Sequence, residues 1–112
     1  MKKSISAAIL GIGCFAMIQV ANAALVEHYD KTVLLLQTDA VSSCIFFRLN
    51  GVSEANPAVP NDVFFAIDMT KPNAKEMYAS ILSARASGNH IYRVLTNGEI
   101  ACGKAKVLTV DL

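Results

Sequence analysis

The chain has 112 residues, enough for one domain, with 54% hydrophobic residues and a formal net charge of +1. Its lysines and arginines form no run or stripe, which excludes nucleic-acid binding through a clustered basic surface. Neither of the two histidines has a second histidine or cysteine at metal-ligand spacing, so we expect no metal and no cofactor.

Residues 1–23 have the order of a secretory signal peptide. Lys2 and Lys3 precede an uncharged, mostly apolar run over residues 5–20, and small residues follow at the cleavage positions. The run is shorter than the ~20 apolar residues that a membrane-spanning helix needs. This segment also inflates the hydrophobic fraction of the whole chain.

Cleavage is expected between Ala23 and Ala24, which leaves residues 24–112 as one periplasmic or secreted domain outside the membrane. The alternative is a lipoprotein cut before Cys14, but Leu10 stands one place too early for that signal. The signal peptide holds two of the ten basic residues, so the domain carries eight basic residues against nine acidic ones.

Cys44 and Cys102 are the two cysteines that remain after cleavage. An even cysteine count in a small exported domain indicates a disulfide, and only one pairing is possible. The bridge would close a long loop and stabilise the domain by roughly 4 kcal/mol. The alternative is two separate buried thiols. A bridge would also leave no cysteine free to act as a nucleophile.

Three short apolar runs precede the helix and predict strands: residues 32–37, 43–49 and 63–68. Asn50-Gly51 ends the second strand, because both residues tolerate positive φ. Residues 50–62 contain two prolines and no apolar period, so they are predicted to form a surface loop.

The helix is predicted to begin after Asn73, which with Glu76 forms an N-x-x-E pattern resembling a capping box. Gly88 is expected to end it in a left-handed conformation. One apolar stripe at three- and four-residue steps is expected to face the core: Ala74, Met77, Tyr78, Ile81, Leu82 and the stem of Arg85.

Two further strands are predicted at residues 90–95 and 104–112, with a tight Asn-Gly turn at residues 96–99. The order β-β-β-α-β-β describes a mainly β domain with one helix. It predicts an OB-fold-like barrel of five strands, with the helix closing one end. An open α+β sheet with one packed helix is the structural alternative.

No constellation of side chains indicates catalysis, so we expect a protein that is not an enzyme. His28 is expected to be solvated near the start of the domain, and His90 to lie at a barrel rim. Asp62 and Asp68 flank one strand and would lie roughly 20 Å apart, too far for paired acid–base chemistry.

Adjacent phenylalanines at positions 46–47 and 64–65 predict that one ring of each pair lies in the core. The other ring would be covered by the helix or by a neighbouring subunit. An exposed aromatic ring could stack on a sugar or a base. Tyr92 beside Arg93, or Arg48 beside Phe47, could contact an anionic ligand.

The stretch from Phe65 to Leu112 resembles the binding subunits of AB5 toxins, in particular the subtilase-cytotoxin and pertussis-like B subunits. The resemblance rests on the helix pattern A-x-x-x-Y-x-x-x-L-x-A-x-x-S-G over residues 74–88. It also rests on the segment I-A-C-G-K-A-K-V, whose cysteine would pair back to the second strand. Residues 24–62 match no motif of these subunits.

The resemblance implies an OB-type fold, homo-pentameric rings and binding of cell-surface glycans. It assigns no glycan-contacting residue in this sequence. The sequence therefore predicts an exported binding module, with glycan or a protein as its partner. The alternative is a monomeric periplasmic domain with a structural or protein-interaction role.

Overall fold

The structure, a computed structural model, describes residues 25–112. The predicted signal peptide, its cleavage between Ala23 and Ala24, and the Cys14 alternative lie outside the described residues. Among the described residues, no helix is long and apolar enough to cross a membrane. Six strands and one helix follow each other: β1 Val26–Lys31, β2 Val33–Thr38, β3 Cys44–Leu49, β4 Phe65–Asp68, α1 Ala74–Ser87, β5 Ile91–Ala101 and β6 Lys104–Asp111.

All six strands belong to one sheet in the order β1-β5-β6-β4-β3-β2. Neighbouring strands are antiparallel except β4 and β6, which are parallel. Because β1 and β2 are its two edges, the sheet is not closed into a barrel. The prediction of a mainly β domain with one helix is confirmed, the open α+β alternative fits, and the predicted five strands are corrected to six.

The strand that the sequence analysis missed is β1. Val26 and His28 are half-buried, whereas Glu27 and Tyr29 are exposed, which is the alternation of a strand with one face on the core. Three charged residues in six positions conceal this pattern in the sequence. The pairing of β1 with β5 nevertheless forms the edge of the sheet that carries the candidate site.

The helix bounds agree with the prediction, but its cap and its buried face differ. Asn73 takes φ 66° and its side chain makes no capping hydrogen bond, so the predicted capping box is wrong. The amide of Gly88, at φ 72°, donates to the carbonyl of Ala84, as expected at a helix end. The fully buried positions are Ala74, Ile81 and Ala84, whereas Leu82 and Arg85 of the predicted stripe are exposed.

The prediction of a tight turn at residues 96–99 is wrong, because these residues lie within β5. Gly98 has φ 89° and lies inside β5, where the register shifts between Thr96 and Ile100, so the Asn-Gly pair forms a β-bulge. The chain reverses at Cys102 and Gly103 instead. Both residues have positive φ, which a two-residue hairpin turn requires.

The disulfide between Cys44 and Cys102 is confirmed, with a sequence separation of 58. It joins the start of β3 to the β5–β6 turn on the outer face of the sheet. Cys44 is buried there with Ala66 and Ala101, and Phe46 packs against this group. The bridge therefore organises a small second core opposite the main one.

The main core lies between the inner face of the sheet and α1. Phe47 and Phe65 are fully buried and their rings stack at 5.0 Å, so one ring of each adjacent pair is in the core as predicted. The rings of Phe46 and Phe64 were expected to be covered by the helix or by a neighbouring subunit, but other groups of the same domain contact them. Phe46 packs beside the disulfide, and Phe64 lies below Arg48 and Lys104.

The loop between β3 and β4 is held to the core by buried polar groups. Asn56 is fully buried, and its Nδ2 donates to Oγ1 of Thr96 at 2.8 Å. Its Oδ1 accepts from the amide of Ala58 at 2.9 Å, while Oγ1 of Thr96 donates to the carbonyl of Val26. Hydrogen bonding of this kind removes the free-energy cost of burying an amide side chain.

Candidate functional site

The described residues contain little that resembles a catalytic centre. Cys44 and Cys102 are bonded to each other and are not free thiols. Within residues 25–112, no group of three or more His, Cys, Asp or Glu side chains is arranged to hold a metal ion. The most distinctive group of exposed functional side chains lies on β1, β5 and the end of β6.

We call this group the tyrosine patch and define it by five residues: Glu27, Tyr29, Tyr92, Arg93 and Asp111. The antiparallel register sets Tyr29 opposite Arg93, and the β5–β6 register sets Arg93 opposite Asp111. Tyr29 is 46% exposed and Tyr92 is 63% exposed, and their rings meet edge to face at 5.7 Å. Exposed aromatic rings in contact form an amphipathic surface that is available to a ligand.

Arg93 is held by two carboxylates from the neighbouring strands. Its Nη1 donates to Oε2 of Glu27 at 2.8 Å. Its Nε and Nη2 both donate to Oδ2 of Asp111 at 2.7 Å. Hydrogen bonding to Glu27 and then to Asp111 raises the pKa of Arg93 above its ordinary value, so the guanidinium stays charged.

The carboxylate of Glu27 also acts on the neighbouring tyrosine. A side-chain hydrogen bond with Glu27 is the largest cause that raises the pKa of Tyr29, and desolvation adds to it. The phenol donates its hydrogen to Glu27, and its oxygen can still accept a hydrogen bond. The patch thus combines apolar ring surface with fixed donors and acceptors.

His90 and Asp30 lie next to the patch, at the start of β5 and near the end of β1. Nδ1 of His90 is 2.9 Å from Oδ1 of Asp30, and both side chains are largely exposed. His90 also borders a surface cavity of about 370 Å³ between the end of α1 and Leu112. His90 was expected at a barrel rim; the sheet is not closed into a barrel, and His90 lies exposed just before β5.

His28 is not the solvated residue that was predicted. Its Nε2 lies 2.8 Å from the carbonyl oxygen of Ala55, and its ring meets Phe65 edge to face at 5.2 Å. Because β1 places alternate side chains on the inner face, His28 packs against the core. Its role is to hold the β3–β4 loop to the sheet.

A second polar cluster surrounds Phe64 on the outer face. Cζ of Arg48 lies 5.9 Å from the ring centroid and Nζ of Lys104 lies 5.2 Å from it. Lys104 donates to Oδ2 of Asp62 at 2.7 Å, which balances its charge. The buried Nε of Arg48 makes no hydrogen bond. The cavity beside Arg48 is lined mostly by apolar residues and glycine, so it offers this nitrogen few polar partners.

The carboxylates of Asp62 and Asp68 each accept hydrogen bonds from other groups of the domain. Asp62 pairs with Lys104 and also accepts from the amide of Phe64. Asp68 accepts from the amide and the hydroxyl of Thr70. Neither carboxylate is bonded to the other, so the structure brings together no acid–base pair here.

Tyr92 and Arg93 were candidates from the sequence, but their partners Tyr29, Glu27 and Asp111 were not predicted. Tyr29 and Glu27 were missed because β1 was not predicted. The alternation in V-E-H-Y-D-K was the available signal, since polar and aromatic residues at every second position can mark the exposed face of an edge strand. Asp111 could be placed only through the strand register.

Comparisons of the chain with protein-family models, with curated proteins and with solved structures find no match.

Proposed function

We propose that this protein is an exported, non-enzymatic binding module that recognises carbohydrate at the tyrosine patch. The observation that carries the proposal is the contact between two exposed tyrosine rings beside a guanidinium that two carboxylates hold in place. A pyranose ring has an apolar C–H face and a rim of hydroxyl groups. The tyrosine rings match the first, and the carboxylates and phenols match the second.

Export is supported by two independent features. The Cys44–Cys102 disulfide indicates an oxidising compartment, because cytosolic reductants keep such thiols reduced. The order of charged, apolar and small residues over positions 1–23 supports a secretory signal removed between Ala23 and Ala24. The proposed place of the domain is therefore the periplasm or the exterior.

A relation to the OB-type fold of toxin B subunits is part of the proposal. Only Thr32 separates β1 from β2, and these are the two edge strands of the sheet. Taken as one bent strand, they would make the strand order cyclic, with the helix between the third and fourth strands. OB-folds bind oligosaccharides as well as oligonucleotides, which supports a sugar ligand.

We propose assembly into a ring of five copies on the strength of the resemblance to toxin B subunits, and β2 supports association with another chain without fixing its number. This edge strand has no charged residue and exposes Leu34 and Leu35. Edge strands usually carry charge or proline, which prevent pairing with another chain. The same edge favours the second candidate, a monomeric domain that binds another protein, and the native mass of the assembly separates the two.

The carbohydrate proposal is tested by removing one exposed ring. Tyr92→Ala is expected to reduce binding to a glycan array by about fivefold or more, because ring stacking contributes on the order of 1 kcal/mol. Ile100→Ala is the matched control, since Ile100 is an exposed apolar residue on the same strand. Equal glycan binding by both variants and the wild type, or no binding by the wild type, would contradict the proposal.

A further inference from the structure

We infer that the tyrosine patch selects neutral sugars and discriminates against sugars that carry a carboxylate, sulfate or phosphate. The inference rests on the proposed function and names the ligand class of the same site. It follows from the way the hydrogen bonds and charges of the patch are already distributed.

The guanidinium of Arg93 is committed to the protein's own carboxylates. It donates through Nη1 to Glu27 and through Nε and Nη2 to Asp111, so all three nitrogens are engaged. A bidentate bond from arginine to an acidic ligand uses two of these nitrogens side by side. Three of the five N–H groups of Arg93 are engaged, including the adjacent Nε and Nη2 pair. An acidic ligand would have only the second N–H of Nη1 and of Nη2, unless it displaced Glu27 or Asp111 from Arg93.

The net charge of the site also disfavours an anion. Glu27 and Asp111 outnumber the single charge of Arg93, and Asp30 adds a third carboxylate at the margin. The side chain of Arg93 is 29% exposed, whereas those of Glu27 and Asp111 are 35% and 38% exposed. An arriving ligand meets carboxylate oxygens at least as readily as the guanidinium.

Neighbouring cations do not reverse this balance. His90 is bonded to Asp30 at the margin, and this is its only contact with a carboxylate of the patch or its margin. The ammonium of Lys31, at the end of β1, lies close to Gly51 at the end of β3, and no ion pair joins it to a carboxylate of the patch.

A neutral sugar fits the acceptors that are left. Glu27 already accepts from both Arg93 and Tyr29, whereas Arg93 bonds only to Oδ2 of Asp111 and makes no bond to Oδ1 of that carboxylate. Sugar hydroxyls donate to carboxylate oxygens without bringing a charge of their own. The tyrosine rings then cover the apolar face of the pyranose, as the proposed function requires.

The test compares sugars that differ only at carbon 6. Binding of glucose against glucuronate, and of galactose against galacturonate, is measured by saturation-transfer NMR on the wild-type protein, with competition between the members of each pair. The neutral member is expected to bind about fivefold tighter or more, in keeping with the size of exposed charge–charge interactions. Equal or tighter binding of the acidic member overturns the inference and leaves the proposed function standing. Where neither monosaccharide binds, the neutral and acidic members of the glycan array are compared instead. Equal or stronger binding of the acidic members there overturns the inference, and no binding to the array overturns both.

A pair of isosteric variants assigns the selectivity to the patch. Glu27→Gln removes one carboxylate and weakens the hold on Nη1 of Arg93, so the preference for the neutral sugar is expected to narrow several-fold. Glu76→Gln on the exposed surface of α1 changes the net charge equally and is expected to keep the full preference. Asp111→Asn repeats the test from the other carboxylate if Glu27→Gln lowers the melting temperature. An unchanged preference in both patch variants overturns the inference.

Discussion

The charged side chains of the tyrosine patch show how little a residue type says about its environment. Glu27 and Asp111 are 84 positions apart in sequence and would pass as ordinary surface acids, yet both bind the same guanidinium. His28 was expected to be a solvated histidine near the start of the domain, yet it packs on Phe65. In both cases the strand register decides which partner a side chain meets, and a residue type carries no information about register.

Acid is expected to destabilise the domain through its bonded carboxylates. Burial by itself raises the pKa of Asp62, but hydrogen bonds from Lys104 and the Phe64 amide, with the charge of Lys104, lower it overall. Hydrogen bonds from Thr70 lower the pKa of Asp68. Groups with lowered pKa values stabilise the fold above their ordinary value of 3.8. That stabilisation is lost as the pH falls through the lower folded values, because the unfolded chain binds protons first.

The measurement is the free energy of unfolding in urea at pH 6 and at pH 3. Lys104→Met is expected to lower stability at pH 6 by about 1 kcal/mol and to reduce the difference between the two pH values. Lys75→Met, on the exposed side of α1, is the control and should retain the full pH dependence. A wild-type protein that is equally stable at both pH values would contradict the assignment.

Among the elements, those with a continuous apolar pattern were predicted and those with a charged exposed face were not. The apolar runs predicted β2, β3 and β6 to within one residue at each end, whereas β4 begins two residues later than predicted. The side chain of Asp62 accepts from the amide of Phe64 and keeps this segment outside the ladder. The Asn-Gly pair correctly indicated a residue with positive φ, Gly98, but this residue forms a bulge within β5 instead of a hairpin turn.

The buried face of α1 provides a direct test of how the helix packs. Ile81 is fully buried, whereas its neighbour Leu82 is 45% exposed. Ile81→Ala is expected to lower the free energy of unfolding by about 3 kcal/mol, through lost burial and the cavity left behind. Leu82→Ala should cost less than about 1 kcal/mol. Chemical denaturation measures both, and similar losses would mean that the helix packs on the stripe expected from the sequence.

For the whole molecule, the disulfide and the buried loop anchor join regions that are distant in sequence. The bridge ties β3 to the β5–β6 turn, and Asn56 ties the β3–β4 loop to β5. A domain of this size buries a modest core, so such long-range connections contribute a large share of its stability.

Removal of the bridge is expected to destabilise the whole domain. The double variant Cys44→Ala/Cys102→Ala should lose roughly 4 kcal/mol of unfolding free energy, because the unfolded chain regains the entropy of a long open loop. The wild type under a thiol reductant should give the same unfolding curve as the variant. Unchanged stability in both would mean that the bridge does not constrain the unfolded chain.

Local patterns in the sequence sufficed for the helix bounds, most of the strands, the cysteine pair and the mainly β class. Each of these depends on periodicity, turn chemistry or a count of cysteines, which are properties of neighbouring residues or of composition. Tertiary contacts were needed for β1, the rotation of α1, the place of the hairpin turn and the partners of Arg93. Those features depend on the register between strands that are distant in sequence. That register is set by packing and backbone pairing across the whole sheet, which no local pattern contains.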